Sequence, residues 1–425
     1  MDVYLAGPEG AIAPPRPLLP PDDRRLPGSH SRAKALPMDG PTSDHPTPFR
    51  SLLEDSMPAK TYAFVGTLNR AMPDFPPAHG DGIATFRFDE DSGRMTLAST
   101  YAGIDNPSFL AVDASGRHLY ASTEWAGRNE GVVTAFDIDP ETGALDYINL
   151  RPTLGSVACH VSLDHTGAFL FVSNFTIAPE GSRPGKAVAA YRVREDGGIS
   201  PPIAGVAHEG AEAILPVSVR SHAHLAVPSP DNRHLLVADL GLDRVMVYCL
   251  PPVEGQLKLA ASPFAELPAG SGPRHLLFNG KGDIVYLINE LGSTMATFAY
   301  DAETGGLSLL QILSTLPEEF SGTNYCAELV LSPDGRFLYG TNRGHDSIVR
   351  FAVQADGTLG LPDWTPTGGH WPRNLTFDPS GKFLLVANQH GDNIVIFRQQ
   401  ALTGALFQTD EIHHGTPMRI VFARL

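Results

Sequence analysis

Phe337-Leu-Tyr-Gly-Thr-Asn342, preceded by the turn Pro333-Asp-Gly335, is an apolar run of strand length that ends on a polar residue. The same unit occurs seven times in the chain. The others are Tyr62-Ala-Phe-Val-Gly-Thr67, His118-Leu-Tyr-Ala-Ser-Thr123, Phe169-Leu-Phe-Val-Ser-Asn174, His234-Leu-Leu-Val-Ala-Asp239, Ile284-Val-Tyr-Leu-Ile-Asn289 and Phe383-Leu-Leu-Val-Ala-Asn388. Six of the seven follow a tight turn, and the turns' final residues (Gly116, Gly167, Asn232, Gly282, Gly335, Gly381) lie 51, 65, 50, 53 and 46 residues apart. A period near 40–50 residues, with several short strands per unit, is the pattern of propeller blades. The expected fold is all-β, a seven-bladed β-propeller.

The composition agrees. Of 425 residues 42 are Gly and 37 Pro, which suits strands and turns better than long helices. A propeller can exceed the usual domain size because each blade packs only on its neighbours. The net charge of −16 argues against nucleic acid or an anionic membrane as partner. No apolar run approaches the ~20 residues that span a bilayer. Cys159, Cys249 and Cys326 lie far apart without CxxC spacing, so neither a disulfide framework nor a zinc site is expected, and a reducing, cytoplasmic setting is.

Residues 1–57 are crowded with Pro, Gly, Asp and Arg and show no periodicity, and they read as a disordered tail. The propeller is then 58–425. Its first strand, near Tyr62, has no inner strand ahead of it. Pro417-Met-Arg-Ile-Val-Phe-Ala423 matches the inner-strand pattern of Pro273-Arg-His-Leu-Leu-Phe278 and Pro372-Arg-Asn-Leu-Thr-Phe377. The C-terminal strand is therefore expected to pair in the first blade and close the ring. The 65-residue spacing suggests an insertion at about 176–220.

If the turns join each inner strand to the second strand, the entries to the inner strands and the loops after the second strands share the opposite face. Polar residues concentrate there: Cys159-His160, His222-Ala-His224, Arg274-His275, Ala327-Glu328, Arg373-Asn374 and Arg419 at entries, and Glu124-Trp125, Asn289-Glu290, Asn342-Arg343 and Asn388-Gln389 in loops. Strand alternation sends Arg274, Arg373 and His224 one way and His160, His275 and Glu328 the other. Clustered guanidiniums call for an anion or for carboxylates. Glu290 and Glu328 either pair with arginines or act as a general base, and His160 and His224 are the alternative bases. His222 and His224 share a strand face, but two histidines without a third ligand do not make a metal site. No nucleophile elbow, phosphate loop or dinucleotide fingerprint is present.

Ser221-His-Ala-His224, Gly272-Pro-Arg-His275 with Ile288-Asn-Glu-Leu-Gly-Ser293, Ala327-Glu-Leu-Val-Leu331 with Asn342-Arg-Gly-His-Asp-Ser347, and Trp371-Pro-Arg-Asn374 with Leu385-Val-Ala-Asn-Gln389 resemble the lactonase family of seven-bladed propellers over about residues 60–425. That family includes bacterial 6-phosphogluconolactonases and fungal carboxy-muconate lactonising enzymes. The resemblance implies lactone chemistry without metal or organic cofactor on a small anionic substrate, with His224, Arg274, Glu290, Glu328, Arg343 and Arg373 at the cleft. His160 is a further candidate base; His222 and Gln389 are further substrate-binding candidates. Lactone hydrolysis is the first expectation, muconate cycloisomerisation the second and a non-enzymatic binding scaffold the third.

Overall fold

The computed structural model describes residues 60–72, 78–125, 130–175, 185–208, 221–252 and 255–425. Seven four-stranded antiparallel sheets follow one another, and no helix occurs among the described residues. The chain is a seven-bladed β-propeller. The inner strands are Pro107–Val112, Ala158–Leu163, Ala223–Pro228, Pro273–Phe278, Tyr325–Leu331, Pro372–Phe377 and Pro417–Arg424. Each repeated unit recognised in the sequence is the second strand of its blade. The expected tail and the segments 176–184 and 209–220 lie outside the described residues. The stretch expected as one insertion also contains Val188–Arg192 and Ala204–Val206, the outer strands of the third blade. The long spacing is therefore not a single inserted block.

Ring closure is as expected: Pro417–Arg424 is the inner strand beside Thr61–Thr67, in a sheet completed by Ile83–Phe88 and Met95–Tyr101. The backbones of Lys60 and Leu425 exchange both hydrogen bonds, at 2.7 and 2.8 Å. Closure leaves no blade without two neighbours, which is how a sheet protein removes large exposed faces.

The second strands are buried along almost their whole length because they pack on both adjacent blades; Ala63, Phe64, Val65, Leu119, Tyr120, Leu287 and Leu384 have no exposed surface. Blade contacts repeat one polar clasp. The Tyr120 hydroxyl donates to the carbonyl of Gly197, Tyr286 to that of Gly357 and Tyr339 to that of Gly404, each in a turn of the following blade, at 2.7–2.9 Å. Gly404 has φ 70°, and a Cβ there would lie 2.6 Å from the Phe337 ring. The turn needs glycine both for its left-handed backbone and for its close approach.

One feature of the inner strands was invisible to strict alternation. In every blade the pairing of inner and second strand slips by one residue at its start, between Pro107/Phe109, Ala158/His160, Ala223/Leu225, Pro273/His275, Cys326/Leu329, Pro372/Asn374 and, across from Gly66/Thr67, at Met418. These are β-bulges, which insert one residue and re-aim its side chain.

Candidate functional site

The bulges build the site. The residues they displace, Ser108, Cys159, His224, Arg274, Arg373 and Met418 with Glu328, line one small void at the ring centre, joined by Phe109, Glu124, His275 and Asn374. Its volume is about 10 Å³, about the least that holds one water. Both registers that alternation would separate meet there, because a bulged residue and its successor can leave a strand on the same side.

Three carboxylates are spoken for. Arg274 Nε and Arg343 Nη2 lie 2.8 and 2.9 Å from the two oxygens of Glu290. Arg373 Nη2 donates to both oxygens of Glu124, at 3.0 and 3.2 Å, and Nη1 reaches Gln389 Oε1 at 3.5 Å. Glu328 accepts from His275 Nδ1 at 2.8 Å, from Asn374 Nδ2 at 2.9 Å and from Arg419 Nη1 at 2.5 Å. Arg274 also donates to the Ala327 carbonyl, and Arg343 to those of Tyr325 and Cys326. The side chains of Arg274, Arg343 and Arg373 are only 2, 3 and 6% exposed. Of the two expected alternatives, an external anion or protein carboxylates, these arginines meet the second. Four arginines against three glutamates leave one surplus positive charge.

Burial alone would raise the pKa of Glu290 and Glu328, but their cationic partners prevail. Arg343 and Arg274 hold Glu290 below the usual carboxylate range, and His275 and Arg419 bring Glu328 to about 2. Both are anions at neutral pH. The histidines go the other way. Burial, with Arg274 beside it, brings His275 to about 4 against the pull of Glu328, and its other nitrogen faces Arg274 Nη1 at 3.4 Å. His275 is thus neutral, giving its proton to Glu328. His224 is pushed well below its ordinary value by burial and then by Arg274, His275, Arg373 and Arg343. Its Nδ1 is buried without a hydrogen-bond partner.

Glu290, Arg343, His160, His222 and Gln389 do not line this void. The His160 ring lies tilted against Phe109 at 4.3 Å and lines a different cavity, toward the hairpin face. His222 stacks on Phe175 at 4.5 Å, and its Nδ1 bonds the Phe175 carbonyl. It does not line the void. Gln389 is buried behind Arg373. Among the described residues no group of three or more His, Cys, Asp or Glu has the geometry to hold a metal ion. Glu124 was not singled out as a site residue, although a signal existed: it follows Thr123 as Glu290 follows Asn289 and Arg343 follows Asn342, the same place in three blades. At the rim, Trp371 stacks on His390 at 4.9 Å with Arg343 over its ring at 5.7 Å.

The sequence matches the family described as Lactonase, 7-bladed beta-propeller, over residues 62–422. It is 30% identical to a 6-phosphogluconolactonase of Bacillus subtilis, over 74% of this chain and 84% of that protein. It is 35% identical to a 6-phosphogluconolactonase of Formosa agariphila, over 73% of this chain and 85% of that one. A periplasmic gluconolactonase of Pseudomonas aeruginosa superposes with a TM-score of 0.77 at 34% identity, covering 86% of this chain and 99% of that structure. With its seven blades closed by the C-terminal strand, this chain belongs to the seven-bladed β-propeller lactonase family.

Proposed function

We propose that the protein hydrolyses the internal ester of a six-carbon sugar lactone, 6-phosphogluconolactone or gluconolactone. The reading rests on one observation: His224 lines the central void and its Nδ1 has no hydrogen-bond partner, while Glu290 and Glu328 are held as anions by their cationic partners. Family membership and the names of the relatives agree with it. In this mechanism His224 takes a proton from water as the water oxygen attacks the lactone carbonyl carbon. The carbonyl oxygen becomes an oxyanion facing Arg274 and Arg373. As the tetrahedral centre collapses, the ring carbon–oxygen bond breaks and the protonated imidazole returns its proton to the leaving oxygen. The product is a hydroxy acid, which ionises and releases one proton overall.

The arginines depress the basicity of His224, so an imidazolium forming there needs the developing oxyanion beside it. The pair of charges arises together and cancels the local field. The single surplus positive charge suits one oxyanion. It does not match a muconate bearing several carboxylates, and it gives no strong grip on a phosphate. Freshly generated 6-phosphogluconolactone and gluconolactone, each against its spontaneous hydrolysis, test the reading. Both should turn over well above background, with kcat/KM values within about tenfold of each other. Rates equal to background for both lactones would overturn it, and a phosphate preference far beyond tenfold would show that a cation outside this cluster reads the phosphate.

A further inference from the structure

Behind the catalytic void, on the hairpin face, the ring encloses a second cavity of about 570 Å³. Its size falls within the range of small-molecule sites. The wall is mixed: Val112, Val227, Phe377 and Val421 give it an apolar stretch, beside Ser162 and Thr376. Asp164 near the mouth is already bonded to the Phe169 amide and the Thr166 hydroxyl. His165 sits beside it, and His160 and Arg419 are the polar groups toward the ring centre.

Arg419 is the informative residue. It gives one nitrogen to Glu328 on the catalytic side and lies over Phe109 at 4.3 Å. Its side chain remains 22% exposed, and it lines this cavity and not the catalytic void. His160 beside it is held neutral by burial and by His275 and Arg419, so it adds no second cation. A cavity with an apolar stretch of wall and one partly available guanidinium complements a molecule with an apolar body and a single carboxylate. We propose that this cavity is a second, non-catalytic binding site for a small apolar monocarboxylate, its headgroup on Arg419 and its body against Val227, Phe377 and Val421.

The test uses 3-phenylpropionate and its uncharged analogue 3-phenylpropanol, titrated into the full-length protein by calorimetry or ligand-observed NMR. The carboxylate should bind saturably and at least tenfold more tightly than the alcohol. Thr376→Trp, which fills the cavity from its wall, should weaken the carboxylate at least tenfold while lactone kcat and KM stay within twofold. Val227→Phe fills the cavity from another blade and serves if Thr376→Trp does not fold. Binding that survives both fillings would place the carboxylate in the catalytic mouth and overturn the proposal. Absence of saturable binding at 10 mM, or equal binding of the alcohol, would also overturn it. The binding readouts do not depend on lactone turnover being the protein's activity.

Discussion

His224 and Glu328 sit a few residues' width apart and have opposite fates, set by what surrounds each. Glu328 is wrapped by His275, Asn374 and Arg419 and has no capacity left for a proton. His224 is neutral and keeps an unpartnered nitrogen. Replacing His224 by Ala should therefore lower kcat on sugar lactones about a hundredfold or more with little change in KM. Steady-state kinetics with circular dichroism as a folding control checks this, and a variant within threefold of the parent would remove His224 from the mechanism. The same cluster predicts acid sensitivity. His275 and His390 have folded pKa values near 4 against an ordinary 6.5, so below about 6.5 the unfolded chain takes up protons that the folded one does not. Glu328, at about 2 against 4.5, withdraws its stabilisation below about 4.5 for the same reason. Thermal melts from pH 8 to 3 should be level above pH 7, decline from about 6.5 and steepen below 4.5. An unchanged Tm down to pH 4 would contradict the burial of these histidines as neutral rings.

At the scale of strands, two repeated devices explain what the sequence could and could not show. The tyrosine at the third position of the second strand was plain in His118-Leu-Tyr, Ile284-Val-Tyr and Phe337-Leu-Tyr, and it clasps the next blade. Tyr339→Phe leaves the Gly404 carbonyl unpaired in a buried setting and should cost about 1–2 kcal/mol by denaturant unfolding. A loss below about 0.3 kcal/mol would mean that water replaces the hydroxyl there. The bulges, by contrast, do not show in the residue pattern. Bulged residues are as varied as Ser108, Arg274 and Met418, because the slip is fixed by the pairing partner and not by the residue's own propensity. Alternation thus misjudged which entry residues converge. The repeat revealed the blades, their faces and the ring closure, since these follow from hydrophobic period and turn chemistry. It put Arg274, Glu290, Glu328, Arg343 and Arg373 at strand entries and loops that share one face. It could not give who pairs with whom, because Arg373 meets Glu124 across 249 positions of chain, nor that His160 faces the other cavity.

The whole ring depends on the last strand. Ile420 and Ala423 are buried, and Arg419 supplies one of the three side-chain partners of Glu328. Removing residues 417–425 would expose the apolar edge of Thr61–Thr67 and free that carboxylate together. The truncated protein should be insoluble or lack a cooperative melt. A soluble, sharply melting product would show that six blades and a remnant can close without it.

The same closure sets a schedule. Lys60 and Leu425 are hydrogen-bonded neighbours although they bracket the entire propeller in sequence, so the ring's final contact joins the earliest blade residues to be synthesised with the very last. At roughly 5–20 residues per second, the first strand waits some tens of seconds for its partner to leave the ribosome. Throughout that interval its edge is open to any other strand. A circular permutant that joins the two ends and opens the chain at the turn before Ile284 would shift this waiting time to another blade while leaving the finished ring, and its central void, the same.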